Sequence, residues 1–133
     1  MTRLSSPKAF TLIELLIVVV VLAALAATAI PLYERAIEKS RKSEALEALS
    51  SVRRSQIRYY SENRTFAQDL SRLDFDPDEA AVFQTVHFNY AILEADVTGF
   101  TAAATRNTVD GGDGTSTVTI DEAGVIGGTF GGN

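Results

Sequence analysis

A chain of 133 residues with a net charge of −5 has room for one domain of ordinary size, and its lack of cysteine excludes disulfides, thiolate catalysis and Cys-held metals. The charge is unevenly placed: residues 34–64 hold eight basic and five acidic side chains, whereas residues 65–133 hold two basic and eleven acidic ones. A C-terminal part at −9 argues against nucleic acid as its main partner. The basic excess on residues 35–64 is the one region suited to a polyanion, and an acidic neighbour would suit it equally well.

Met1 to Ala9 is polar and basic, with Arg3 and Lys8. An apolar run follows directly. Between Phe10 and Leu32 only Thr11, Glu14, Thr28 and Pro31 interrupt it, and its 23 residues exceed the roughly 20 needed to cross a hydrocarbon core. A cleavable secretory signal would end its apolar core sooner. Arg3 and Lys8 are expected to stay cytoplasmic, so that one span exports everything after Leu32.

Beyond Pro31 the pattern is that of an amphipathic helix. Ala45, Leu49, Val52, Gln56 and Tyr59 recur at helical spacing, with Arg41, Lys42, Glu47, Arg54 and Arg58 opposite. No Gly or Pro lies between Leu32 and Asn63, so one helix is expected over 10–62, its first part (10–32) in the membrane and its second (33–62) outside. Pro31 withholds a donor from the Ala27 carbonyl and reads as a kink, because neighbouring helices compensate such a loss in a membrane. A loop is expected from Asn63 to Ala81. After it Phe88, Tyr90 and Ile92 alternate with other residues, as do Phe100, Ala102 and Ala104, then Val118 and Ile120, with separators at Asp96–Gly99, Asn107–Gly114 and Asp121–Gly124. The expected fold is α+β: a long N-terminal helix whose second half packs on a small three- or four-stranded antiparallel sheet within a head of residues 63–133. Such a sheet needs a helix on one face, and the stripe from Ala45 to Tyr60 supplies it.

Lys8-Ala9-Phe10-Thr11-Leu12-Ile13-Glu14 and the apolar run resemble the cleavage and methylation motif of type IV prepilins and type II secretion pseudopilins. The resemblance covers residues 1 to about 33, and continues more weakly into the helix, the loop to Leu70 and the segment ending Thr117–Asp121. It implies removal of leader 1–9 by a prepilin peptidase between Ala9 and Phe10, and N-methylation of Phe10. It further implies polymerisation into a type IV pilus-like filament or, alternatively, a secretion pseudopilus. Glu14 matches the family's acidic position and Pro31 its usual proline. The implied partners are like chains or co-subunits and an inner-membrane assembly platform with its ATPase. The implied location is the inner membrane before assembly and the cell surface or periplasm afterwards. Two positions depart from the family: Ala9 stands where Gly is usual, and the C-terminal disulfide loop of many pilins has no cysteines here.

Elementary physics supports the same reading. A carboxylate inside an apolar span costs roughly 2.5–3.5 kcal/mol by insertion scales, so Glu14 demands a partner. Cleavage would create an ammonium at Phe10, and the amine of a neighbouring copy fits best. Alanines at 23, 24, 26, 27 and 29 let helices approach closely.

No cofactor is expected and no catalytic motif is present: no G-x-S-x-G, no phosphate loop, no paired histidines. His87, the only histidine, reads as structural. Asp110 and Asp113 lie in a Gly-rich loop with some likeness to calcium loops, but without EF-hand spacing, so a plain hairpin loop is the expectation and no metal is assigned. The run Asp74, Asp76, Asp78, Glu79 reads as solvated loop.

Overall fold

The computed structural model describes residues 10–77, 80, 83, 87–109 and 111–130. The chain forms two units, Met1–Ile37 and Glu38–Asn133. Helix α1 spans Leu12–Asn63 and contributes to both. It continues through Pro31, so the proline does not end it.

The helix stops where the sequence supplies no glycine. Arg64 takes the left-handed conformation (φ 58°) and its N–H donates to the Tyr60 carbonyl at 2.9 Å, closing the last turn. A 3-10 turn, Leu70–Arg72, interrupts the loop that follows. Asp78 and Glu79 lie outside the described residues, as does part of the segment before the sheet.

The sheet contains β1 (Phe88–Ala95), β2 (Phe100–Arg106), β3 (Thr117–Asp121) and β4 (Ile126–Gly128) in the order β1-β2-β3-β4, an antiparallel meander. Its register pairs Phe88 with Arg106 and Ala102 with Ile120. A bulge between Ile92 and Glu94 shifts β1 by one residue. Alternation leaves Leu93 exposed, and the bulge turns Glu94 out beside it and brings Ala95 to the partly buried face.

Alternation decides which face meets the helix. Phe88, Phe100, Ala102, Ala104, Val118 and Ile120 are buried against Ala45, Leu49 and Val52 of α1, with Phe66, Ala67 and Leu73 closing the side. Alanines at the centre of β2 leave room for the helix to lie close. Truncating a fully buried leucine such as Leu49 to alanine costs about 2–5 kcal/mol. Rings staple both ends. Tyr60 stacks on Phe66 (4.6 Å), which meets Phe100 (5.2 Å), and Phe130 from the C-terminal segment packs on Phe88 (5.7 Å).

Two buried polar side chains organise the remainder. Gln56, fully buried, donates through Nε2 to the Ala67 carbonyl (2.7 Å) and accepts from the Ala67 N–H (2.8 Å). Arg106, 2% exposed, donates to the His87 carbonyl (3.0 Å), pairs with Glu38 (3.3 Å) and lies 5.5 Å over the Phe88 ring. Gly112 is required beside it, because a Cβ there would overlap the Asn107 carbonyl oxygen and press on the arginine side chain.

Candidate functional site

The first unit presents an apolar helix. Every residue from Phe10 to Ala36 is exposed, including Phe10 (74%) and Leu12 (88%). The helix is long and apolar enough to cross a membrane. In water such a surface would be strongly disfavoured, at about 25 cal/mol per Å² of apolar area. It therefore belongs in lipid or against other apolar helices.

Thr11, Glu14 and Thr28 are satisfied locally. Thr11 and Glu14 form a reciprocal cap at the start of α1. The Glu14 carboxylate accepts from the Thr11 N–H (3.0 Å) and hydroxyl (2.9 Å), and the Thr11 hydroxyl oxygen accepts from the Glu14 N–H (3.3 Å). The signal was present as Thr-x-x-Glu directly before an apolar run, yet sequence reasoning gave Glu14 only an intermolecular partner and missed Thr11. The Thr28 hydroxyl donates to the Leu25 carbonyl (2.9 Å), a bond that hides it within the apolar helix. Phe10 stands one residue before the capping threonine. Ala9 lies outside the described residues.

The other candidates fall in the second unit. His87 is half-buried and its Nδ1 faces Glu44 at 3.0 Å, tying the start of β1 to α1. Asp110 lies outside the described residues. Asp113 turns its carboxylate onto its own loop, accepting from the Ser116 hydroxyl, the Ser116 N–H (2.8 Å) and the Thr115 N–H (3.0 Å). These bonds, the Ser116 hydroxyl foremost, hold its pKa down from 3.8 to about 2. Among the described residues no group of three or more His, Asp or Glu side chains is placed to hold a metal.

Two family models match. Residues 4–30 match the prokaryotic N-terminal methylation motif, and residues 31–119 match the model described as type IV minor pilin ComP, DNA uptake sequence receptor. The chain is 35% identical over 71 residues to the type IV major pilin protein PilA of Myxococcus xanthus (53% of this chain, 32% of that protein). It is 37% identical over 62 residues to the fimbrial protein EcpC of Eikenella corrodens (47% and 40%). These matches thus span about a third to two-fifths of each relative's length. The crystal structure of the Neisseria meningitidis non-core minor pilin PilV shares the fold, with a TM-score of 0.58, 23% identity, and coverage of 73% of this chain and 91% of that one. With its methylation motif matched at residues 4–30 and the minor-pilin model over more than half of its length, the chain belongs to the type IV pilin family.

Proposed function

We propose that this chain is a structural subunit of a type IV pilus filament, anchored by α1 in the inner membrane with its N-terminus cytoplasmic before assembly. In this reading a prepilin peptidase cuts between Ala9 and Phe10, Phe10 is N-methylated, and an assembly platform with its ATPase draws the chain into the filament. The carrying observation is the exposed apolar first part of α1, residues 12–32, with one carboxylate, Glu14, a turn from Phe10. The names of its relatives, a type IV major pilin and a fimbrial protein, support a pilus over a secretion pseudopilus. Pro31 lets the helix bend between its two halves. Glu14, held by Thr11, pairs with the Phe10 amine of a neighbouring copy.

Two measurements test this. Mass analysis of shear-released filaments should find a chain beginning at methylated Phe10; an intact Met1 would overturn the processing. Glu14→Leu should leave cleavage and membrane levels normal while filaments of the mutant alone become scarce, since stranding one member of a buried pair costs about 3–5 kcal/mol. Wild-type yield would refute the pairing.

The description of the matched model as a DNA uptake sequence receptor favours a second reading, a minor subunit that meets DNA. The −9 charge of residues 65–133 would confine that contact to the cations of α1. Salt-dependent retention of duplex DNA on purified filaments tests it, and none at low salt would dismiss it.

A further inference from the structure

Folding changes the charge that α1 displays. In sequence, Glu38-Lys39-Ser40-Arg41-Lys42-Ser43-Glu44 mixes both signs. In the structure the two acids are drawn onto the sheet, Glu38 to Arg106 (3.3 Å) and Glu44 to His87 (3.0 Å). Lys39 is exposed and Lys42 half-exposed, and neither has an ion-pair partner among the described residues. This end of the unit therefore presents an unpartnered cationic helix face.

The opposite end of the sheet is its complement. The meander brings the β1–β2 turn (96–99) and the β3–β4 turn (122–125) to the same end, where the Glu122 carboxylate lies over Gly99, so close that a Cβ on Gly99 would come within 2.8 Å of it. Between them runs a groove of about 650 Å³ whose lining includes Glu94, Asp96 and Glu122 and no cationic side chain. The Asp96 carboxylate is occupied by its own turn, accepting from the Thr98 N–H and hydroxyl (both 2.6 Å) and the Gly99 N–H (3.0 Å). The Glu94 and Glu122 carboxylates have no such ties among the described residues, the one cation at this turn, Arg53, donating through Nε to the Glu122 backbone carbonyl (3.0 Å). Exposed Leu93, on the outward face of β1 at the bulge, adds an apolar lip that accommodates a lysine stem.

We propose that the face of α1 carrying Lys39 and Lys42 docks into the groove at Glu94 and Glu122 of a second copy of this chain. The inference rests on the filament reading above and deepens it by naming a contact between heads. Cation and anion sit at opposite ends of one unit, so the contact is head-to-tail and, unlike a two-fold contact, leaves a free site on each copy for the next one along a polymer. Charge complementarity selects the register, and each exposed pair contributes modestly.

Charge reversal in cells that assemble this chain tests it. Lys39→Glu with Lys42→Glu, or Glu94→Lys with Glu122→Lys, should each lower shear-released filament yield about five- to tenfold with the membrane pool unchanged, and all four together should recover most of it. Wild-type yield from either reversed pair, or no recovery in the fourfold variant, would overturn the docking. Filaments unaffected in yield but no longer retaining duplex DNA would assign the lysines to a polyanion and overturn it equally. Lys42→Cys combined with Glu122→Cys, mixed with wild-type chains so that assembly does not depend on the variant, should give disulfide-linked dimers and a ladder on oxidation. The chain has no native cysteine to confuse the readout, and single-cysteine controls should give no ladder. Absence of cross-linked species from the double variant would count against the contact. Absence of filaments from the wild-type chain would sink the filament reading and the docking together, whereas the other failures remove the docking alone.

Discussion

Replacing Gln56 by leucine keeps the volume and helix propensity of that position but removes both partners of a buried peptide. Gln56 is fully buried and Ala67 is 1% exposed, so the Ala67 N–H and C=O lose bonds of 2.8 and 2.7 Å with no water to replace them. A stranded buried polar group costs about 1–3 kcal/mol, and two of them, less the gain from a buried leucine, should cost about 3 kcal/mol net. The loss is transmitted. The neighbouring Phe66 N–H donates to the Asp96 carbonyl (3.0 Å) and its ring stacks between Tyr60 and Phe100, so a loosened loop also loosens the β1–β2 turn. The assay is thermal and urea unfolding of the chain from Tyr33 onward, which should be soluble and cooperative because the helix stripe still covers the sheet. At about 4–8 °C per kcal/mol for a domain of this size, Tm should fall by about 12–24 °C. A Gln56→Leu variant within about 0.5 kcal/mol of wild type would refute the view that this side chain, more than the apolar stripe around it, fastens the loop to α1.

Two further expectations follow from the bonds of the other sites. Thr11→Val removes two of the three hydrogen bonds of the Thr11–Glu14 cap and keeps the backbone one, so filament yield should fall between those of wild type and Glu14→Leu, with Thr11→Ser restoring it. Yield equal to wild type, at equal N-terminal cleavage, would remove Thr11 from the positioning of Glu14. The Asp113 carboxyl should titrate near 2, well below its ordinary 3.8, when followed by carbon NMR in the soluble chain from Tyr33. Because its folded pKa is depressed, the loop is held fully above about pH 4 and released as pH falls toward 2. An Asp113 midpoint at the ordinary value would show the carboxylate turned to solvent, leaving it open to a cation.

The elements were legible where local pattern and tertiary need agree. The stripe Ala45, Leu49, Val52 is buried as its 3.6-residue period requires, and Phe88, Phe100 and Val118 lie on the face that their alternation assigns. Gln56 sat on the correct face by spacing, but its partner is eleven residues away in an irregular loop, and periodicity carries no information about that. The bulge that turns Glu94 outward beside Leu93 likewise depends on pairing with β2 and has no local signature. Arg106 was the larger surprise. A charged residue ending a strand reads as an exposed terminus, whereas here it is buried by Glu38, the His87 carbonyl and the Phe88 ring.

That last contact is also why the functional surface was not legible. Counting charges along 38–44 gives a helix segment of mixed sign with no evident partner. Arg106 cannot be buried without an acid, since an uncompensated buried charge costs several kcal/mol, so the fold commits Glu38 to it. Glu44 is turned inward as well, its carboxylate 3.0 Å from the His87 Nδ1. Core satisfaction thus determines what remains outside, and what remains is Lys39 and Lys42. The sign of the outward face is therefore a tertiary property. It should invert in its effect if the inner pairs are broken: Arg106→Met would free Glu38 to screen Lys42, one turn on along α1, and filament yield should then fall even where the Glu94–Glu122 groove is untouched. Because the same substitution disturbs packing at Phe88, the deciding comparison is Arg106→Met with Glu38→Gln. Removing both charges leaves no buried ion and no freed acid, so assembly should recover if the displayed charge, and not the ion pair itself, is what a second copy recognises.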